Sequence, residues 1–416
     1  MEECLFGSHA QTHNLRRGLL LCSVLMIQGV AIDGIRALTL EEALQRAEKD
    51  SPFALEITRD IERAKTEVRA AGLWNNPELS YSQEESGNET EKVTEVSLEI
   101  PLGGRLALER DAAHSLLRSA EALGRQTRVE LRAKVREAFL ELLRFQERMT
   151  ALETGMVRFD ELTETLRARE REGESSGFDR MRAERERATV EVELLDSRQS
   201  LAAARSALAA LVGLPAETLR AEGHLPSAGT LPGREEILIA AMSRGDLVAL
   251  DAQADRADYL ARAARRRLIP EPTVSAGTKS TDLGGVESSG PTFGITLALP
   301  VFNRGQGERA VALAEGALLR ARRDSLRRSI EAEVDAAYTT AMTRREAEDA
   351  YARAPDPSDL ARIAWAAYEE GEMGILELLD AHRLALEVQL RSIDLSAETR
   401  GAEVALGLVA GMEVTP

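Results

Sequence analysis

The chain has 416 residues, carries a formal charge of −17 and contains 30% charged but only 4% aromatic residues. So negative a chain is a poor partner for nucleic-acid phosphates, whose binding needs a net basic face. Ala, Leu, Glu and Arg dominate the composition, as they do in long helices rather than in compact mixed domains.

The first 37 residues have the features of an export signal. Arg16-Arg17 is a positively charged segment, an apolar run extends from Gly18 to Ile32, and Ile35-Arg36-Ala37 is an acceptable cleavage site. The alternative is a membrane anchor, but the apolar run is shorter than the ~20 residues that a spanning helix needs. We therefore predict a signal peptide over residues 1–37 and a mature chain that begins near Leu38.

Both cysteines, Cys4 and Cys22, lie inside this predicted signal. A mature chain without them would have no thiol nucleophile, zinc–cysteine site or disulfide. Lipid attachment at Cys22 is not expected, because the residue before it is Leu21 rather than a small one. No later segment is predicted as a transmembrane helix, so a membrane crossing downstream would have to be made by strands.

Four sequence landmarks recur in the same order at nearly one offset, which indicates a duplicated unit. The matched segments are Asn76-Pro77 with Glu271-Pro272, Glu99 to Arg105 with Leu299 to Gly305, Glu172-Gly173 with Glu370-Gly371, and Leu211 to Gly213 with Leu408 to Ala410. We predict repeat 1 over residues 38–232 and repeat 2 over residues 233–416, with the boundary in the Gly- and Pro-rich segment 213–233.

Each repeat is predicted to contain a helix, two strands, a very long helix and a returning helix, in that order. The first helix has Thr39 as its N-cap and Glu42 at the capping-box position. The predicted ranges are 40–73, 78–84, 93–100, 105–171 and 178–212 in repeat 1, and 234–268, 273–280, 292–299, 306–370 and 375–409 in repeat 2.

The long helix of repeat 1 carries a heptad pattern of apolar residues, which is typical of helices that pack along other helices. Its seam consists of Leu131, Val135, Ala138, Leu142, Phe145, Met149, Leu152, Met156, Phe159 and Leu166. The returning helix is predicted to face this seam with Met181, Ala188, Val192, Leu195, Ala202 and Ala209. At ~1.5 Å per residue the long helix would measure about 100 Å, and in repeat 2 Pro355 and Pro357 should break or kink it.

The predicted strands alternate between apolar and polar residues, as strands with one buried face do. Val96, Leu98 and Ile100 share one face in repeat 1, and the corresponding face in repeat 2 contains Phe293, Ile295, Leu297 and Leu299. A half-buried hairpin on a soluble domain would show the same alternation. Four strands cannot close a barrel, so strands that cross a membrane here would need several subunits.

The duplicated order and five short motifs resemble the TolC-type outer-membrane efflux duct family over residues 38–412. The motifs are Leu40-Glu41-Glu42-Ala43-Leu44, Asn76-Pro77, the strand-ending Pro101 and Pro300, and Gly371 followed by Leu376 to Ala381. Gly103-Gly104-Arg105 and Asn303 to Gly307 are most similar to the heavy-metal, CzcC-like branch.

The resemblance implies a mainly α fold with a small β part, built as two tandem repeats. Three identical subunits would form a 12-strand outer-membrane β-barrel continued by a periplasmic α-helical coiled-coil tube. The expected function is a passive duct of a tripartite efflux system for small solutes or heavy-metal cations. The expected partners are outer-membrane lipid, a periplasmic adaptor and an inner-membrane pump of the RND type.

The resemblance also places two acidic residues, Glu377 and Asp380, at the periplasmic aperture of the tube. Being three positions apart, they share one face of a helix. Threefold symmetry would bring their charges together, attract cations and constrict the pore electrostatically. The alternative is that both are ordinary solvated surface acids of an acidic protein.

Enzymatic chemistry is not predicted. The five histidines are scattered, no phosphate-binding loop or nucleophile elbow is present, and neither a metal site nor a cofactor is expected. His382 is interpreted as a solvated helix histidine. The alternative function is a soluble periplasmic coiled-coil scaffold or adaptor without a pore.

Overall fold

The computed structural model describes residues 36–355 and 357–412. In this part the chain is mainly helical with a small β part, and its elements occur in the same order in both halves. The predicted signal peptide lies outside the described residues except for Arg36 and Ala37, which with Leu38 form a short strand. The elements are β1 (Arg36–Leu38), α1 (Leu40–Asp50), α2 (Pro52–Ala70), β2 (Glu78–Ser86), β3 (Glu89–Glu99), α3 (Arg105–Glu172), α4 (Gly177–Val212), β4 (Leu219–Ala221), α5 (Arg234–Ala241), α6 (Gly245–Arg266), β5 (Pro272–Leu283), β6 (Val286–Leu297), α7 (Gln306–Ala352), α8 (Pro357–Glu369) and α9 (Ile375–Ala410).

The first helix of each repeat is divided in two, where a single helix was predicted. In repeat 1, Ser51 accepts a hydrogen bond from the backbone N–H of Ala54 and Pro52 occupies the first turn of α2. Proline has no N–H to donate to the preceding turn, so the chain starts a new helix there. In repeat 2 the break lies between Ala241 and Gly245.

The two hairpins lie side by side in one antiparallel sheet with the order β2-β3-β5-β6. The central pairing joins the repeats, with Val96 opposite Ala276 and Leu98 opposite Val274. All four strands are longer than predicted because each extends further into its hairpin loop. A short parallel pair between β1 and β4, which the sequence did not suggest, lies in the helical part.

The heptad seam of α3 is confirmed, since all of its apolar residues are buried or half-buried. Of the predicted facing residues of α4, Ala209 is buried and Ala188 is half-buried, but the other four are exposed and were predicted wrongly. Met181, Val192 and Leu195 are exposed, and the buried face of α4 is instead formed by Ala183, Val190, Leu194, Leu201, Ala204 and Leu208. The helix carries two apolar stripes, and periodicity alone does not tell which of them faces α3.

The long helix predicted over 306–370 is divided at the predicted proline break. Helix α7 ends at Ala352 and α8 begins at Pro357. The following α9 packs against α3, α7 and α8. The helices of the two repeats therefore form one bundle rather than two separate domains.

Ion pairs link the repeats inside this bundle. Asp394 of α9 accepts hydrogen bonds from Arg144 Nε at 2.9 Å and Arg148 Nη1 at 2.6 Å, both on α3. Because this carboxylate satisfies two half-buried guanidinium groups, it fixes the position of α9 along α3.

A second ionic network is buried between α7 and α9. Arg400 is 0% and Glu403 1% exposed. Glu403 Oε1 accepts from Arg345 Nε at 2.6 Å, and Arg400 Nη2 donates to Glu348 Oε2 at 2.8 Å. The other Glu403 oxygen lies 3.4 Å from Arg400 Nη1. Each buried charge thus has an opposite charge beside it, which is the condition for tolerating charges in a core.

Candidate functional site

The turns that end the long helices of both repeats lie together at the end of the bundle away from the sheet. Gly173 and Gly371 close the preceding helices with positive φ of 79° and 75°. A shared apolar cluster joins the two turns and contains Leu162, Leu166, Ala183, Ile375 and Leu378.

Glu377 and Asp380 lie in the first two turns of α9, and both are exposed. Their neighbours Leu378 and Leu379 point into the apolar cluster. The two acids therefore share the solvent-facing side of α9. Their assignment to a pore aperture stays a prediction.

The two acids differ in their surroundings. Asp380 Oδ1 accepts a hydrogen bond from Arg383 Nη2 at 2.8 Å, and this bond raises the pKa of Arg383 further above its usual range. Glu377 folds back over the start of its own helix, where a Cβ on Gly374 would lie 2.7 Å from Glu377 Oε2. Unpaired N–H groups and the helix dipole favour a carboxylate there. Within the described residues Glu377 has no ion pair.

The corresponding turn of repeat 1 uses its acid for capping. Asp179, at the position of Glu377, forms a capping box in which it accepts from Ser176 N at 3.2 Å and from Ser176 Oγ at 2.8 Å. Arg182 occupies the position of Asp380. At the positions equivalent to Glu377 and Asp380, repeat 1 therefore has no pair of exposed acids among its described residues.

Sequence reasoning missed three further acids at the turn of repeat 2. Glu369, Glu370 and Glu372 are exposed, and no ion pair of theirs occurs in the described part of the chain. By contrast, Glu170 of repeat 1 pairs with Arg180 at 2.7 Å. The run Glu369-Glu370-Gly371-Glu372 contains no cation, and that was the signal available in the sequence. Repeat 1 also exposes Glu172 and Glu174, but Arg169 and Arg171 lie beside them in the sequence. The net negative charge at this end is therefore concentrated on the repeat 2 turn.

The interpretation of His382 as a solvated residue is wrong. Its ring lies between Phe159 of α3 and Trp365 of α8, with ring centroids 6.4 Å and 6.3 Å away. Both ring nitrogens are buried without a hydrogen-bond partner. Burial, and secondarily the positive charge of Arg158, lower the pKa of His382 below its usual value. A neutral imidazole therefore belongs to the apolar packing between α3, α8 and α9.

Replacing His382 should change how stability depends on pH. The lowered pKa means that the unfolded chain takes up a proton first as pH falls below about 6.5, so the folded state loses stability until its own pKa is passed. We expect the thermal midpoint of the wild type to fall between about pH 8 and about pH 5, and part of this fall to disappear in His382→Leu. Circular dichroism of the purified protein measures both midpoints.

The control for that experiment is His114→Leu, because His114 is exposed. This variant should keep the pH dependence of the wild type. Identical pH profiles for wild type and His382→Leu would show that the imidazole does not titrate differently on folding.

The described residues provide neither a membrane-spanning helix nor a metal-binding cluster. Residues 36–355 and 357–412 contain no helix long and apolar enough to cross a membrane. The same residues contain no group of three or more His, Cys, Asp or Glu side chains arranged to hold a metal ion.

Comparison with known families identifies the chain. The outer membrane efflux protein family matches residues 43–214 and 239–412, one segment in each repeat. The chain belongs to this family. As an outer membrane efflux protein it is a channel component of a tripartite efflux system rather than an enzyme.

The relatives of this efflux protein described below cover between 76% and 90% of its length. It is 28% identical to the cobalt-zinc-cadmium resistance protein CzcC of Cupriavidus metallidurans over 90% of each chain. It is 23% identical to the nickel-cobalt-cadmium resistance protein NccC of Alcaligenes xylosoxydans xylosoxydans over 76% of this chain and 75% of the relative. Its fold matches the crystal structure of the outer membrane protein VceC of Vibrio cholerae with a TM-score of 0.70 and 20% identity, over 90% and 96% of the two chains.

Proposed function

We propose that three copies of this chain close one 12-strand β-barrel in the outer membrane and continue it as a periplasmic helical tube. The main support for this proposal is that the four-stranded sheet is open: its outer strands β2 and β6 have no partner strand among the described residues. Strand directions alternate across the sheet, so β6 of one copy would run antiparallel to β2 of the next. Closure would then leave no free edge inside the membrane.

The two faces of the sheet have the chemistry that a barrel wall needs. Leu79, Val96, Ala276 and Phe293 form one cross-strand row on the first face. Phe293 is 83% exposed, which is costly in water but favourable against lipid. The opposite face carries rows such as Glu78, Ser97, Ser275 and Gly294, which suit a water-filled lumen.

The helical part also supports association. The second apolar stripe of α4, with Met181, Val192 and Leu195, is more than half exposed. Contacts between subunits would remove this stripe from water. Residues 38–232 and 233–416 would each supply one strand pair and one helical pair to the assembly, after removal of a signal peptide over residues 1–37.

The proposed cargo is a divalent heavy-metal cation, and the proposed partners are a periplasmic adaptor and an RND-type inner-membrane pump. The names of the two metal-resistance relatives support the cargo. The proposed route ends at the acidic turn of repeat 2, where Glu377 and Asp380 would form carboxylate rings that attract cations. Since these acids lie on one exposed helix face, we propose conduction rather than tight chelation.

Fractionation of cells that express the full chain tests the duct directly. We expect the protein in the outer-membrane fraction as a heat-modifiable trimer. Monomeric protein released by osmotic shock would contradict a duct and support a soluble periplasmic scaffold.

Deletion of the gene tests the cargo separately. We expect lower tolerance of cobalt, zinc or cadmium, restored by the wild-type gene, with tolerance of dyes and detergents unchanged. Sensitivity to dyes and detergents alone would reject metal cargo without affecting the duct.

A further inference from the structure

Exposed apolar residues surround the place where the strands meet the helices. They come from all four connections between a strand and the neighbouring helix and include both aromatic and aliphatic side chains. Trp74 is 59% and Phe302 91% exposed, and the others are Leu73, Leu102, Leu268, Ile269, Leu299 and Val301. We refer to these eight residues as the collar.

Contacts between the connections hold the collar residues of both repeats near one another. Asn75 Nδ2 donates to Glu99 Oε2 at 2.5 Å, which ties the connection of Trp74 to the end of β3. Arg105 Nη2 donates to Glu271 Oε2 at 3.3 Å across the repeats. A Cβ on Gly103 would lie 3.6 Å from the Cβ of Ile269. The collar is therefore one region of the surface rather than scattered residues.

Three consecutive exposed arginines lie next to the collar: Arg265 and Arg266 end α6, and Arg267 follows it directly. Arg267 Nη1 pairs with Glu308 at 2.8 Å. Arg265 and Arg266 have no carboxylate partner in the part of the chain that the structure describes, although this chain carries 70 acidic residues. The side chain of Arg304, on the connection after β6, donates to the backbone oxygen of Val301 at 3.2 Å and has no carboxylate partner among the described residues.

Unpaired guanidinium groups beside exposed apolar side chains match the two ends of an anionic phospholipid. The apolar face of the sheet continues through Leu297 into Leu299 of the collar, so acyl chains against the sheet would reach it. A guanidinium group binds phosphate through two parallel N–H donors. Aromatic side chains such as Trp74 are enriched at this boundary between hydrocarbon and water.

From these observations we infer that Arg265, Arg266 and Arg304 bind the phosphate headgroups of anionic phospholipid in the periplasmic leaflet, with the collar in the adjoining acyl region. The orientation rests on the proposed function, because it places the helical end of the sheet on the periplasmic side. Headgroup binding would set the depth of the barrel in the membrane.

Native mass spectrometry of the detergent-purified full chain tests the headgroup contact, with phosphatidylglycerol and phosphatidylcholine added in turn. We expect Arg265→Gln/Arg266→Gln to lose at least about fivefold in bound phosphatidylglycerol, since each removed cation weakens attraction to an anionic lipid. Phosphatidylcholine binding should stay unchanged. The matched control is Arg322→Gln/Arg328→Gln, which removes two exposed arginines from the middle of α7 and should bind as the wild type does.

Equal phosphatidylglycerol binding by the variant and the wild type would overturn the inference, as would an equal loss in the control. Complete displacement by inorganic phosphate would also overturn it, because the arginines would then be a simple anion site. The same spectra report the subunit number. Trimers without lipid preference reject only this inference, whereas monomers under every condition reject the proposed duct.

Tryptophan fluorescence tests the depth of the collar independently. The chain has two tryptophans, so Trp365→Phe leaves Trp74 as the only reporter. In vesicles with brominated phospholipid we expect Trp74 to be quenched more by bromine near the glycerol than by bromine near the bilayer centre. The control is Trp74→Phe, in which Trp365 is the only remaining tryptophan. Trp365 lies at the end of the helical bundle away from the collar, so its fluorescence should not be quenched. Unquenched Trp74 would place the collar outside the membrane.

Discussion

A channel carrying Glu377→Gln and Asp380→Asn is expected to lose most of its preference for cations over anions. The substitutions remove two negative charges from each subunit and leave Arg383, whose partner is Asp380, unpaired. The potential at the turn should therefore become less negative by the contribution of the two carboxylate charges removed from each subunit, while the positive charge of Arg383 remains. Reversal potentials in planar bilayers under a salt gradient measure the permeability ratio.

The effect should be largest at low ionic strength, because the Debye length falls from about 10 Å at 0.1 M salt to about 3 Å at 1 M. The matched control is Glu193→Gln/Asp196→Asn, which removes the same residue types at the same spacing from the exposed surface of α4. This pair lies roughly 24 Å along the helix from its first turn. A permeability ratio that stays at the wild-type value, or falls equally in the control, would refute the role of Glu377 and Asp380.

Among the substitutions considered, Glu403→Gln is expected to destabilise the protein most. Its free energy of unfolding should be lower than that of the wild type by about 3 to 5 kcal/mol. Glu403 is the carboxylate between Arg345 and Arg400, and Arg400 is 0% exposed. Without it, Arg345 loses its partner and Arg400 keeps only Glu348. Denaturant or thermal unfolding of the purified proteins, monitored by circular dichroism, measures the difference in free energy of unfolding between the variant and the wild type.

Glu331→Gln is the control for this measurement. Glu331 forms an exposed pair with Arg327 on α7, at 3.2 Å and one helical turn apart, and such pairs contribute only a few tenths of a kcal/mol. A loss for Glu403→Gln no larger than for Glu331→Gln would mean that water or a rearranged side chain replaces the buried carboxylate.

The sequence predicted the architecture well because duplication and periodicity are properties of the chain itself. The landmarks around Pro101 and Pro300 located both hairpins, and the heptad of α3 located its buried face. The division of the first helix was missed although Ser51-Pro52 is a recognisable stop and start signal. The stripe of α4 could not be assigned, because two apolar stripes on one helix satisfy the same pattern and only the arrangement of neighbours selects one.

The acidic turn was predicted in part for a related reason. Spacing places Glu377 and Asp380 on one face, but which acids stay unpaired depends on side-chain partners. Asp380 is held by Arg383, and the equivalent Asp179 is used as a helix cap. His382 was misjudged because its ring packs between Trp365 of the preceding helix α8 and Phe159 of α3, which is distant in sequence. Partners that are remote along the chain are invisible to local pattern reasoning.

Cysteine cross-linking between the outer strands tests barrel closure most directly. Ser82 of β2 and Gly290 of β6 lie in one cross-strand row of the same face, separated by β3 and β5. At ~4.8 Å per strand their backbones lie about 14 Å apart within one chain, too far for a disulfide. In a background without Cys4 and Cys22, Ser82→Cys should be combined in turn with cysteine at Ser288, Gly290 or Thr292. Three subunits closing one barrel predict covalent dimers and trimers for at least one register under oxidation, whereas monomers for every pair would contradict the barrel.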